Sequence, residues 1–391
     1  MSLAPHRSYY GYRLGGRVNC SRIVFWQEMP SPHQAPWIRA LASLLPDRQV
    51  IGVFQKDVAP FRLAMGWSQP DYGQAQVFIS PGRSTIEALL HSDCERTVHV
   101  FSGIVHNSVL DAAFRQVLSS RARVGILSEG RDWRGAKGML RQAHSFFHER
   151  SYRRRVDFIL ALGRVGTRWF TKCGYDPAKL FPFCYVVEDH RGTDNQSHTK
   201  GVSITSVGRL ISLKRIDLLL KAVAKVSSPE WTLKIIGEGE QHPFLEEMAE
   251  RFRLQKKVVF RGSMPNLQVR QELALADIFV FTSRADGWGA VVNEALMSGV
   301  PVICSDYCGA ADLIHSGFNG ELFRCDSLES LTDTLQKWIS KGPLSDAKRE
   351  EIRSWSRCIE GEAVARYFLE IIGYFENGGG RRPRAPWITH Q

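Results

Sequence analysis

At 391 residues the chain is too long for one compact core and suits two domains of about 180 residues each. With 43% hydrophobic and 23% charged residues it falls outside the disordered and collagen-like classes. The net charge of +11 is uneven: residues 115–155 hold eleven Lys/Arg against three acids, a patch suited to acidic lipid headgroups, a phosphorylated acceptor or nucleic acid.

No run reaches the roughly eighteen consecutive apolar residues that span a bilayer, and residues 1–16 carry Arg, His and Tyr where a signal peptide needs an apolar stretch. The expectation is a cytoplasmic protein, neither secreted nor transmembrane. Cys20, Cys94, Cys173, Cys184, Cys304, Cys308, Cys325 and Cys358 are scattered without a C-x-x-C pair, as expected of reduced structural thiols.

Short β-branched runs alternate with helical patterns, the signature of βα units around parallel sheets. After a flexible segment (1–20), a first domain (21–188) is expected to carry strands at 22–26, 49–54, 76–80, 97–102, 123–128 and 156–162. Helices are expected between most of them, for example at 35–45, 84–91 and 107–119. Residues 189–200 (DHRGTDNQSHTK) contain no large apolar side chain and read as a linker. The pattern restarts in a second domain (201–350): VSITSVGRL, a helix through 216–226, TLKIIGEGE, a helix near 244–252, VVFRG, DIFVFTS, a helix at 290–298 and PVICSD. Residues 348–375 read as one or two amphipathic helices, with 351–376 as a last helix. Residues 377–391 read as a disordered basic tail. The fold class is α/β, with two Rossmann-like doubly wound domains facing across a cleft, where ligands lie beyond the carboxyl ends of the strands.

The segment from Ser283 to Glu294, SRADGWGAVVNE, follows a buried strand and opens a helix. Gly287 and Gly289 bare the backbone where the first helical N–H groups lack partners, which makes an anion site. Asp286 before the helix and Glu294 in its second turn can face the same cleft, and their acceptor oxygens suit sugar and ribose hydroxyls. Taken alone, the two could equally be a helix cap and a solvated face residue. Upstream, Gly208 and Arg209 end a strand and Lys214 enters a helix. A cation there opposes the helix dipole by up to about 1 kcal/mol and calls for an anion. A forked Arg209 and a point-charge Lys214 are the combination expected around a diphosphate. Gly237, in IGEG, marks a second strand-end turn.

Together, VGRL followed by Lys214, IIGEGE, VVFRG, DGWGAVVNEALMSGVPVICSD, CGAADLI and GFNGELF resemble the family-four-type retaining glycosyltransferases of the GT-B fold (glycosyl transferases group 1). The likeness runs from Val202 to near Leu369 and includes Ser354 and Trp355 before a last helix that in the family crosses back to the first domain. The family's two acids separated by seven residues stand here as Asp286 and Glu294. The resemblance implies that Arg209 and Lys214 hold the donor diphosphate, the N–H groups of Gly289, Ala290 and Val291 its outer oxygens, and Glu294 the ribose. Asp286 would contact the transferred sugar, Gly287 and Trp288 would complete the donor loop, and the base would lie against Gly262, Ser263 and Met264. Asp for Glu at 286 shortens that arm by one methylene and bears on donor identity.

The first half departs further from the family. Ser31 to Pro36 replaces the usual glycine pair, and Ser128 or Glu129 stands where members often carry His. Glu129, and His106 with Asn107, are the acceptor-side candidates, each equally readable as a structural loop residue. With no D-x-D or His/Cys cluster, the expectation is a metal-independent enzyme without a cofactor. It would move a hexose-type sugar from a nucleotide-diphosphate donor to a glycan or lipid-linked hydroxyl, in cell-surface polysaccharide or glycolipid assembly. Lys137, Arg141, Phe146, Phe147, Arg150, Tyr152, Arg153, Arg154 and Arg155 combine aromatic and cationic groups for an anionic membrane. They suggest a peripheral position on the inner face of the membrane, with no nucleic-acid partner. The alternatives are a nucleotide-sugar epimerase, a glycan phosphorylase and a non-catalytic basic module binding membrane or nucleic acid. The last explains 115–155 but not 202–320.

Overall fold

A computed structural model describes residues 19–64, 67, 69–103, 108–188, 201–228 and 230–389. Its strands are β1 (Arg22–Gln27), β2 (Gln49–Phe54), β3 (Gln76–Ile79), β4 (Thr97–Ser102), β5 (Arg123–Glu129), β6 (Phe158–Leu162), β7 (Leu180–Phe183), β8 (Val202–Val207), β9 (Trp231–Ile236), β10 (Val258–Phe260), β11 (Ile278–Phe281), β12 (Val302–Ser305) and β13 (Gly320–Phe323). The helices of the first half are α1 (Ala35–Leu44), α2 (Pro60–Ala64), α3 (Arg83–His91), α4 (Ser108–Leu118), α5 (Gly135–His148) and α6 (Gly163–Lys172). Then come α7 (Ile216–Val223), α8 (His242–Arg251), α9 (Asn266–Ala274), α10 (Ala290–Met297), α11 (Leu328–Ser340), α12 (Asp346–Ser356), α13 (Gly361–Glu376) and α14 (Pro386–Thr389).

All pairings are parallel, in the orders β3-β2-β1-β4-β5-β6-β7 and β10-β9-β8-β11-β12-β13. Covered on both faces, such strands must be apolar throughout, and β6 (FILAL) is buried at every position. Strand order reverses between β1 and β4 in one sheet and between β8 and β11 in the other. At such a switch point neighbouring loops run to opposite faces of the sheet and leave a crevice.

Several elements were not expected from the sequence, among them α9, β13, α11 and β7. No strand was expected at 180–183; β7 is an edge strand of its sheet, where the missing N–H of Pro182 is tolerated. The last residues also differ from the disordered tail expected for 377–391. Ala385 and Trp387 are buried, the Trp387 carbonyl meets His315 Nε2 at 2.8 Å, and Arg382 donates to the Pro177 carbonyl at 2.9 Å while lying over the Phe181 ring. One large indole gives this Gly- and Arg-rich stretch enough apolar area to dock. Residues 1–18 and the linker 189–200 lie outside the described residues.

The last long helix joins the first domain. Phe368 of α13 packs on Phe25 and Trp37 with ring centroids 5.9 and 5.3 Å away, and Phe375 packs on Phe158 and Phe181. One buried apolar cluster runs from Ile23 and Trp37 through Tyr367 and Trp387 to Leu296 and Val302, continuous between the two sheets.

Candidate active site in the cleft between the sheets

On the second-domain side the site grows from the switch point. β8 is followed by Gly208 and β9 by Gly237, both with positive φ, and a Cβ on Gly237 would stand 2.0 Å from the Gly208 carbonyl oxygen, so only glycine allows these turns to touch. Beyond Gly208, Arg209 is exposed. Lys214 closes a 3-10 turn over Ser212–Lys214, and Arg215 in the left-handed region separates it from α7. The sequence had put Lys214 at a helix start awaiting a ligand anion. Instead its Nζ makes an ion pair with Asp286 Oδ2, both side chains 19% exposed, and lies 5.1 Å from the Phe281 ring centroid. The turn is pinned from below by Thr282, whose hydroxyl donates to the Lys214 carbonyl at 2.8 Å.

Asp286 Oδ1 also accepts from the Trp288 N–H at 3.3 Å, which fixes the glycine loop before α10. Gly289 caps that helix in the left-handed region, where a Cβ would meet the Phe281 ring at 2.8 Å, and it brings no capping side chain. The first-turn N–H groups of Ala290 and Val291 therefore have no side-chain cap, the condition for an anion site at a helix start. Trp288, expected among the donor contacts, is buried, and its indole N–H is spent on Asn293 Oδ1 at 2.8 Å. Asn293 in turn donates to the Tyr185 carbonyl at 2.9 Å, tying the loop to the first domain. Trp288 supports the loop from beneath.

Glu294 stands one turn along α10, nearly buried. Burial raises its pKa, against which the guanidinium of Arg270 and a hydrogen bond from Asn266 act. Arg270 reaches Glu294 Oε1 at 3.4 Å and was not foreseen, since nothing in NLQVRQELA marks it out from a surface arginine. At the proposed base turn, the Gly262 carbonyl accepts from the Gly237 N–H at 2.8 Å; Ser263 is exposed and Met264 half-buried. Glu238 and His242, joined at 2.8 Å, lie beside this turn.

The first domain contributes Glu129 from the end of β5. Its Oε2 lies against Gly287, where an added Cβ would be 1.8 Å away, and the Tyr185 hydroxyl hydrogen-bonds its carboxylate. Solvent still reaches Glu129, yet the surrounding protein raises its pKa, and nearby Asp286 adds to the rise. His33, from the loop that replaces the expected glycines, stacks on Tyr185 at 5.7 Å and meets Trp67 edge-on. Burial, then the charges of Arg270 and Arg62, lower its pKa to about 4, so it is neutral. His33 and Tyr185 were not foreseen: they meet only once β1 and β7 fold round the sheet. His106 and Asn107 lie outside the described residues. Among the described residues, then, three strand ends bring these groups to one cleft: β8 delivers Lys214, β11 both Asp286 and the open start of α10, and β5 Glu129.

Comparison with known proteins bears on what such a cleft is. Residues 191–355 match the family described as glycosyl transferases group 1. This region, less than half of the chain, is thus similar to the group 1 glycosyl transferases. It is 28% identical over 152 residues to the phosphatidylinositol N-acetylglucosaminyltransferase GPI3 subunit of Saccharomyces cerevisiae (37% of this chain, 34% of that one). It is 30% identical over 139 residues to lipopolysaccharide 1,6-galactosyltransferase of Salmonella typhimurium (34% of this chain, 38% of that one). The match thus spans only about a third of the length of these curated relatives. Over the whole fold, the structure superposes on the lipopolysaccharide outer core galactosyltransferase WaaB with TM-score 0.67 at 16% identity, covering 91% of this chain and 99% of that one. It superposes on Anabaena HepE, solved with UDP, with TM-score 0.61 at 17% identity (91% and 98%). The fold is GT-B, and the region that matches the group 1 family lies in its second half.

Away from the matched region, α5 exposes Met139, Leu140 at 72% and Phe147 at 71%, interleaved with Lys137, Arg141, His144 and His148. Phe146, Arg150, Arg154 and Arg155 are also exposed, although the Arg155 guanidinium is engaged by the Leu118 and Ser120 carbonyls. Two of the expected membrane residues turn inward. Tyr152 packs edge-on against Phe114, and Arg153 donates to the Cys173 carbonyl and stacks on Phe146. No helix among the described residues is long and apolar enough to cross a membrane.

Proposed function

We propose that the protein is a retaining glycosyltransferase that moves a hexose-type sugar from a nucleotide-diphosphate donor to a hydroxyl of a glycan or lipid-linked acceptor. The observation that carries this reading is the Lys214–Asp286 pair facing the uncapped start of α10 at the switch point of the second sheet. A diphosphate would draw Lys214 Nζ and accept from the Ala290 and Val291 N–H groups. Asp286, released from Lys214, would take a hydroxyl of the transferred sugar, and Glu294 the ribose diol.

The acceptor oxygen bonds to the anomeric carbon on the face from which the diphosphate leaves. The anomeric C–O bond breaks with its electrons passing to the diphosphate, and a phosphate oxygen takes the acceptor's proton. Configuration is retained. Lys214, Arg209 and the α10 N–H groups meet the charge on the departing diphosphate, so no divalent metal is called for. Glu129 and Tyr185, with His33 behind them, form the acceptor-side wall. Support for a sugar-transfer reading over a purely basic binding module comes from the relatives, named as N-acetylglucosaminyl- and galactosyltransferases, and from HepE, solved with UDP.

The exposed Leu140 and Phe147, among cations on α5, support a peripheral position on anionic membrane at its inner face, where a lipid-linked acceptor in polysaccharide or glycolipid assembly would be presented. A thermal-shift screen against UDP, GDP and ADP, followed by transfer assays with the matching nucleotide sugars, tests the donor reading. One of the three should raise the melting temperature by mass action. If none does at millimolar concentration, the donor reading fails.

A further inference from the structure

Glu294 is shaped by a residue that meets no donor atom in the reading above. Arg270, in α9, directs Nε to Glu294 Oε1 at 3.4 Å and Nη1 to the Glu188 carbonyl at 3.2 Å. Both charged groups are enclosed, with Arg270 15% and Glu294 9% exposed. Glu188 ends the described part of the first domain, and its carboxylate is held by Arg39 of α1 at 2.7 Å. A single guanidinium therefore bridges a carboxylate of the second domain and a peptide of the first.

Two consequences follow from the chemistry. A nearly buried carboxylate gains protons unless a cation stands beside it, and a protonated one loses half its capacity to accept from a diol. Arg270 is that cation, and from one side only. Arg270 and the Asn266 amide are the polar groups that engage the Glu294 carboxylate among the described residues, with neutral His33 behind Arg270. The side chain keeps 9% of its surface exposed, so a ligand can still reach the carboxylate. The planar fork also fixes direction: with one arm on the Glu188 carbonyl, the other cannot swing, so the Glu294 oxygens are held at one angle to the ligand. We propose that Arg270 is the positioning residue for the ribose-binding carboxylate, and that through it the site selects ribonucleoside diphosphates over ligands lacking the 2′,3′-diol.

This rests on the assignment of Glu294 to the ribose, and the two can be separated. Calorimetric titration is carried out with whichever of UDP, GDP and ADP binds the unmodified protein most tightly, and with its 2′,3′-dideoxy counterpart. The ribo form should bind about tenfold more tightly or better, as expected for hydrogen bonds to a charged acceptor. Glu294→Gln and Arg270→Met should each bring that ratio to within about twofold of unity, whereas a merely structural role for Arg270 would weaken both ligands alike. Circular dichroism checks that each variant is folded. Should Arg270→Met not fold, Arg270→Gln, which can still donate to the Glu188 carbonyl, carries the same expectation. If Glu294→Gln loses the ratio and folded Arg270 variants keep it, the positioning role is refuted and the ribose assignment stands. If Glu294→Gln keeps it, the ribose assignment falls, and the positioning role with it.

Discussion

Replacing Lys214 with Ala removes a charge from a turn whose backbone is independently fixed, because Thr282 and not the Lys214 side chain holds the carbonyl. The loss to folding is that of one charge-assisted contact, about 1.5–3 kcal/mol before discounting, and less here since water reaches both partners. The melting temperature should therefore fall by only a few degrees. The loss to catalysis is larger. A preorganised donor aimed at developing charge is typically worth about 10²–10³ in kcat, and Lys214 is the partly buried cation at the α10 start. Nucleotide affinity should weaken less, because in the proposed complex the ground-state diphosphate is also held by the helix start and Arg209. Glu294→Gln should fail differently, mainly raising the donor KM, since ribose hydroxyls do not change during transfer. Steady-state kinetics with varied donor, beside titration of the nucleotide, separates rate from binding. If Lys214→Ala transfers sugar at the unmodified rate, residues 202–214 do not hold the diphosphate, and a basic binding module becomes the better description.

Transfer should survive excess EDTA; complete loss restored by magnesium or manganese would show that protein cations do not suffice. Gly287→Ala puts a methyl where Glu129 Oε2 lies, so that carboxylate must swing away while the φ of Gly287 remains ordinary. Acceptor KM should rise several-fold with nucleotide binding kept, and an unchanged acceptor KM would remove Glu129 from the acceptor wall. Sedimentation with vesicles should show binding that rises with acidic lipid and falls with salt, lost in Leu140→Glu/Phe147→Glu; equal binding to neutral vesicles would refute the docking face. His33 and His99, buried and neutral with pKa values lowered to about 4 and about 3, take up protons more readily unfolded than folded. Their contribution is whole above about pH 6.5 and is lost as pH falls toward 4, by up to about 1.4 kcal/mol per pH unit for each. His99→Gln, which can still accept from Trp26 Nε1, should lose less melting temperature between pH 7 and pH 5 than its parent, and identical slopes would refute the account.

Much of the βα rhythm was legible because parallel strands are apolar along their whole length and stand out between helices. Lys214 and Asp286 were readable as neighbours of one site because each follows a strand at the switch point. Their mutual pairing was not, since it depends on a 3-10 turn that holds Lys214 ahead of the helix, not in its first turn. Trp288 shows the opposite limit: its position in the glycine loop suggested a ligand contact, and only packing reveals that the indole points down to Asn293. Arg270, Tyr185 and His33 left no local signature, because each acquires its meaning from residues brought near by the tertiary fold. The tail composition was outweighed by a single buried tryptophan.

The return of α13 to the first sheet also sets an order of events during synthesis. Phe25, Trp37, Phe158 and Phe181 are made early, yet the rings that cover them, Phe368 and Phe375, leave the ribosome after the whole second sheet. The second domain can bury its core as it emerges, while the first must wait with an apolar flank uncovered, at risk of sticking to other nascent chains. The half of the protein translated first would therefore be completed only by the last long helix, and a stop codon before residue 361 would leave it permanently without the helix that closes its core.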